Sequence, residues 1–212
     1  MQAMDLSARV RRIGESATLK VTRRAMQMKA QGIDVVDFGA GEPDFASPAV
    51  AVEAARQALA DGFTKYTQNQ GIPALRQALA KRYAQRYGAP WTADQTLIAV
   101  GGKGALFEVA LALFEEGQEV VLHTPAWVST PEQIRFAGAT VVEVPTTGAD
   151  GFAVDPDAML AAITARTRAV IVNSPCNPTG GRISPAAMTV IIEGCAAHGV
   201  LVISDETYER FV

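Results

Sequence analysis

Residues 169–204 read AVIVNSPCNPTGGRISPAAMTVIIEGCAAHGVLVIS. Four apolar residues, 169–172, run into a polar loop with two prolines and a glycine, 173–180. Ser184-Pro185 then opens a stretch of helix formers that stops at Gly199, and a second apolar run, 200–204, follows at once. The order is strand, helix, strand. A strand that is apolar at nearly every position, rather than at every second one, has both faces covered, which is the mark of a parallel sheet.

The same pattern extends outward. Runs of the same kind at 97–100, 119–122 and 140–144 are predicted as further strands. Helices are predicted over 49–61, 73–87, 105–114, 157–163 and 186–198. Ser47-Pro48, Asp155-Pro156 and Ser184-Pro185 mark three of the starts, because a side-chain oxygen takes an orphan backbone N–H and proline has none to lose. Gly62, Gly88 and Gly199 mark ends. Alternating strands and helices predict an α/β fold: three layers, a mostly parallel sheet with helices on both faces, and ligands beyond the carboxyl ends of the strands. Residues 1–45 read as an arm and loop, and 46–212 as one domain.

Composition narrows the partners. The chain has 212 residues, 49% hydrophobic and 19% charged, enough apolar content for a sizeable core. Nineteen basic against 22 acidic residues give a net charge of −3. There is no basic stripe of the sort that neutralises a phosphate backbone, so no nucleic-acid partner is expected. Mean hydropathy is +0.12, but the apolar runs are short or broken by charge, and no membrane association is expected. The arginines at 9, 11, 12, 23 and 24 are interrupted by Asp5 and Glu15 with no apolar leader behind them, so no targeting signal is read. Cys176 and Cys195 lack metal-ligand spacing, and His123 and His198 are the only histidines. No metal is expected, and a reducing, cytoplasmic setting fits.

Three strand ends carry groups with chemistry. After 97–100 come Gly101-Gly102-Lys103-Gly104 and a helix; glycines admit an anion to backbone N–H groups and the helix start attracts it, as for a phosphate. The segment has neither Walker A nor dinucleotide spacing, and taken alone it reads equally as a structural turn. Residues 173–180 alone read as a strand-to-helix turn. Asp205-Glu206-Thr207-Tyr208 follows the last strand, where an aspartate alone reads equally as a helix cap. Read singly, Trp127 is also compatible with a core residue, Tyr66 with a surface aromatic and Lys103 with a solvated lysine.

Taken in order, Gly41-Glu42-Pro43-Asp44-Phe45, Lys65-Tyr66, Gly101-Gly102-Lys103, Pro125-Ala126-Trp127, 173–180 and 204–208 resemble the class I/II pyridoxal-phosphate aminotransferases of fold type I. The likeness is nearest to the bacterial aspartate aminotransferase branch and spans essentially the whole chain. It implies a pyridoxal 5′-phosphate cofactor, amino acid and 2-oxo acid substrates with a lean to aspartate or glutamate, and a homodimer. By position it implies that Gly102, Lys103 and Gly104 offer backbone amides to the phosphate and that Trp127 stacks on the pyridine. Asn177 and Tyr208 would hydrogen-bond the phenolic oxygen. Asp205 would pair with the pyridine nitrogen, keeping it protonated so that the ring draws electrons. Tyr66 would reach the neighbouring subunit's cofactor phosphate. Gly41 would contact the substrate carboxylate, with Trp127, Asn177 and Lys103 also lining the substrate site. Residues 1–45 would supply the arm and a small-domain segment, and 46–212 a truncated large cofactor-binding domain.

One departure stands out. The resemblance implies a Schiff-base lysine beyond the Asp-x-x-Tyr motif, yet the lysines are Lys20, Lys29, Lys65, Lys81 and Lys103. The expectation is therefore an amino-terminal portion of a working enzyme, with no catalytic lysine of its own and inactive by itself. A non-catalytic regulatory or dimerisation module, or a lyase or synthase on the same fold, would share these motifs.

Overall fold

The computed structural model describes residues 5–11, 13–14, 17–39 and 41–211. A four-residue helix α1 (Ala8–Arg11) comes first, followed by α2 (Ala17–Ala30), α3 (Ala49–Ala60), α4 (Pro73–Tyr87) and α5 (Gly101–Leu113). Then strands and helices alternate: β1 (Glu119–Thr124), α6 (Ser129–Ala137), β2 (Thr140–Pro145), α7 (Pro156–Ala161), β3 (Thr167–Asn173), α8 (Pro185–Ala197) and β4 (Leu201–Asp205). The chain divides into two compact units, residues 1–20 with 101–212, and residues 21–100. Neither cut falls at the 45/46 boundary expected from the sequence.

In the first unit β1 to β4 form a parallel sheet in the order β2-β1-β3-β4. Alternate residues feed opposite layers, as the two-residue period of a strand requires. Val121, Val170 and Val172 pack with Met159 of α7 and with Ile191 and Cys195 of α8. Val120, Leu122, Ala169 and Ile171 pack with Ala110 of α5, Ile134 of α6 and Phe114. All of these strand residues are buried, which is why their sequence is apolar on both faces. Gly194 belongs to the close approach of α8 to α7, since a Cβ there would stand 2.5 Å from Leu160 Cδ1.

Two of the marked helix starts behave as expected. Asp155 accepts from the Asp157 N–H and Ser184 from the Ala187 N–H, each with proline at the first helical position. The third does not: the residue before α3 is Pro48, and no side chain caps that helix. Ser47 lies one residue too early for its oxygen to serve. The strand expected at 97–100 is also absent. Leu97 and Val100 are 59% and 93% exposed, and the segment's recorded backbone bond to another stretch is Ile98 N–H to Gln70 C=O at 3.0 Å. An apolar run makes a strand only where a neighbour pairs with it, and no described strand lies beside this one. The helix expected from 105 begins at Gly101, so the glycines form its first turn.

Candidate active site

Strand order locates the crevice. From β1 the chain passes through α6 to β2 on one side, and it returns through α7 to β3 on the other. That reversal is a topological switch point, and loops diverging there leave a crevice outside the carboxyl ends of the strands. The loop after β1 carries Pro125, Ala126 and Trp127; the loop after β3 carries 174–180; the turn after β4 carries 206–208.

Side chains from these loops meet. Asn177 Nδ2 donates to the Tyr208 hydroxyl at 3.3 Å. Asp205 closes its own turn, its Oδ1 accepting from the Thr207 N–H at 3.1 Å and the Thr207 hydroxyl at 2.8 Å. The start of α5 adjoins that turn, since a Cβ on Gly102 would stand 3.4 Å from Thr207 Oγ1. Lys103 Nζ lies 5.0 Å from the centroid of the Trp127 ring, a cation over an aromatic face. Gln133 of α6 donates to the Lys103 carbonyl at 2.9 Å and holds the helix start. Thus Gly102, Lys103, Trp127, Asn177, Asp205 and Tyr208 belong to one constellation in the sheet unit, with Gly104 in the same first turn of α5. Tyr66 and Gly41 belong to the 21–100 unit, where Tyr66 is fully exposed. A cleft of about 710 Å³ borders the constellation at Lys103 and Gly104 but runs off between α5 and α6, lined by Phe107, Ala126 and Phe136. Trp127, Asn177, Asp205 and Tyr208 are not among its lining residues.

Two residues that the sequence reading passed over tie the loops together. Asn173, the last residue of β3, donates from Nδ2 to the Asp205 carbonyl at 3.0 Å and accepts at Oδ1 from the Asn177 N–H at 2.8 Å. Its own N–H donates to His123 Nε2 at 3.1 Å. A polar residue closing an apolar strand was the available signal for both. Burial pushes the His123 pKa below its ordinary value. The group facing Nε2 is the Asn173 N–H, which also favours an unprotonated nitrogen there.

The donor set suits a flat, phosphorylated, nitrogen-containing ring. An exposed glycine-rich helix start offers N–H groups, an indole offers a face, a carboxylate stands at a strand end, and an amide and a phenol converge. Residues 33–212 match the profile of aminotransferase class I and II. The chain belongs to that family. It is 44% identical over 207 residues to an aspartate/prephenate aminotransferase of Thermus thermophilus, covering 98% of this chain and 54% of that protein. It is 43% identical to an aspartate aminotransferase of Geobacillus stearothermophilus, covering 98% and 53%. Among solved structures it superposes on the T. thermophilus aspartate aminotransferase with maleate at a TM-score of 0.93, covering 98% of this chain and 54% of that one. With the aspartate aminotransferase of Rhizobium meliloti the TM-score is 0.92 at 34% identity, covering 98% and 52%. The chain spans about half the length of the curated relatives it matches. The family's three-layer fold is the one found here. Among the described residues no helix is long and apolar enough to cross a membrane, and no cluster of potential metal ligands occurs.

Proposed function

We propose that the whole protein, of which this chain spans the first half of the matched relatives, is a pyridoxal-phosphate aminotransferase. It moves an amino group between aspartate or glutamate and a 2-oxo acid. The observation that carries this reading is the convergence at the β1/β3 switch point of Asp205, the Asn177–Tyr208 pair and the Lys103–Trp127 pair beside the start of α5. When bound, the cofactor supplies an electron sink for the substrate α-carbon.

The chain's residues do the rest. Gly102, Lys103 and Gly104 present amides to the phosphate. Asp205 holds the proton on the ring nitrogen, and its Thr207 contacts fix the carboxylate in place. Asn177 and Tyr208, whose Nδ2 and hydroxyl lie 3.3 Å apart, would both donate to the phenolic oxygen. Lys103 covers one face of Trp127, so a flat ring takes the other, and its ammonium stands ready for the distal carboxylate of a dicarboxylic substrate. Gly41 meets the substrate's α-carboxylate. Tyr66, fully exposed, serves the neighbouring subunit's phosphate in a homodimer. The Schiff-base lysine of this reading lies downstream of Tyr208. The two relatives above, both named for aspartate and the Thermus thermophilus one also for prephenate, support a dicarboxylic donor.

The test uses the full-length protein with pyridoxal phosphate. A visible absorbance band of the bound cofactor, changing on addition of aspartate, and transfer of the amino group to a 2-oxo acid are expected. Cofactor bound without any amino transfer from aspartate or glutamate would overturn the reading. Lys103→Ala should reduce kcat/KM for aspartate about tenfold or more relative to a neutral amino acid; equal losses would assign the lysine to the phosphate or the fold.

A further inference from the structure

β1 and β3 stop pairing before they end. Their last paired residues are Leu122 and Ile171, whereas β1 stays paired with β2 as far as Thr124↔Pro145, and β3 with β4 as far as Asn173↔Asp205. The two central strands therefore part at their carboxyl ends, at the switch point, and Asn173 loses the carbonyl that a continued ladder would have given its N–H. A buried, orphaned N–H is expensive, so something must accept from it. His123 does. Its imidazole is 2% exposed and spans the gap, Nε2 to Asn173 N at 3.1 Å.

We propose that His123 is a positioning residue of the cofactor site: its imidazole takes the place of the missing ladder bond and thereby fixes Asn173, which holds the Asn177 backbone and the Asp205 carbonyl. The chain of contacts is short and complete. His123 accepts from the Asn173 backbone, Asn173 Oδ1 accepts from Asn177 N–H, and Asn173 Nδ2 donates to the Asp205 carbonyl, which also accepts from Ser174 N–H at 3.2 Å. Loops after three strands are thus indexed to one ring. An aliphatic side chain would fill the volume but leave the N–H unpaired, so the position asks for an acceptor at the reach of Nε2. Glutamine is the conservative substitute, because its Oε1 lies at a similar distance from the backbone.

This inference rests on the proposed function for its cofactor, and two separate readouts keep them apart. In the full-length protein, His123→Leu and His123→Gln are compared by hydrogen-exchange mass spectrometry of cofactor-free peptides covering 173–181, and by titration with pyridoxal phosphate. Expected for His123→Leu is exchange in this segment about tenfold faster and pyridoxal phosphate binding about tenfold weaker, the loss of one buried hydrogen bond. His123→Gln should restore most of both. Equal losses in the two variants, with melting temperatures lowered alike, would reduce His123 to core filling and overturn the proposal. Normal exchange in His123→Leu would also overturn it. If the exchange pattern is as expected but the wild-type protein binds no pyridoxal phosphate, the proposed function fails, and with it the role of His123 toward that cofactor.

Discussion

The two compact units hold themselves together by different means. In the sheet unit, the central strands β1 and β3 supply contiguous side chains with essentially no exposure, and helices cover both faces. In the 21–100 unit only Ala25, Arg76 and Ala80 are buried among the described residues, while Val36, Phe38, Phe45, Val50, Leu59 and Tyr66 are exposed. Single-point devices stand in for a core there: Arg76 bridging carbonyls, and Gly71 packed against Ile98. One unit is stabilised by area and the other by a few directional contacts.

The largest expected effect tests where the chemistry resides. In the full-length protein Asp205→Ala should lower kcat by roughly 100- to 1,000-fold, the usual loss when one preorganised charge partner is removed. Its melting temperature should hardly move, since the Asp205 carboxylate contacts lie within its own turn. Near-normal turnover would remove the sheet unit's claim to the ring nitrogen.

Next is stability, read as a matched pair. Met159 is fully buried between α7, α8 and the sheet, and Leu59 of α3 is exposed. Met159→Ala should cost about 2–5 kcal/mol in urea unfolding. Leu59→Ala should stay within about 0.5 kcal/mol in the dissociated chain. Comparable losses would mean that the 21–100 unit has a core after all.

What was legible in the sequence follows the same division. The four strands of the sheet were located to within two residues at either end: β1 and β3 are buried on both faces and leave a continuous apolar run, and the more exposed β2 and β4 are still rich in β-branched residues. The run at 97–100 is just as apolar yet exposed, and composition does not reveal whether a neighbouring strand pairs with it. Ser47 has the right chemistry for a cap but sits one residue from the right place. Helix α6 has no capping side chain at its start, where Val128 precedes it, and only Gly138, in the left-handed region at φ 104°, marks its end. At the crevice, the aromatic and charged residues that meet stand in the motifs that resemble the family. His123 and Asn173 were not legible in the sequence, since their roles depend on where two strands part, a property of register rather than of residue type.

Smaller effects belong to the directional contacts of the 21–100 unit. Arg76 donates from Nε to the Ala93 and Thr96 carbonyls at 3.0 and 2.9 Å. Arg76→Met keeps most of the packing but strips these carbonyls of a charged donor, at a cost of about 1.5–3 kcal/mol. Gly71 has φ 98°, and a Cβ there would lie 2.4 Å from Ile98 Cγ1. Gly71→Ala should therefore cost about 1–3 kcal/mol through strain and overpacking together. Both losses should appear in unfolding of this unit and leave the exchange protection of β1 and β3 unchanged; a loss that spreads to the sheet would show that the two units unfold as one.

The smallest effect separates the two ends of the sheet. At the carboxyl end the strands are tied by neutral amides and an imidazole; at the amino end Glu119, the first residue of β1, accepts from the Thr164 hydroxyl at 2.5 Å and pairs with the Arg166 guanidinium. The Thr164 hydrogen bond first and Arg166 second hold the Glu119 carboxyl below its ordinary value of 4.5, against a contribution from burial that raises it. A carboxylate with a lowered folded-state pKa stabilises fully at pH values above the unfolded one. As the pH falls below 4.5, the unfolded chain takes up its proton first, and the stabilisation drains away until the pH has passed the folded-state value. Wild type and Glu119→Gln should therefore differ in urea midpoint near neutrality and converge in acid, because glutamine keeps the shape but has no proton to lose. The contribution is modest, since Arg166 is itself mostly exposed. A difference that stayed constant from about pH 7 down to about pH 3 would mean that Glu119 acts by shape and hydrogen bonding alone, and that the amino end of β1 is held no differently in kind from the end that carries the chemistry.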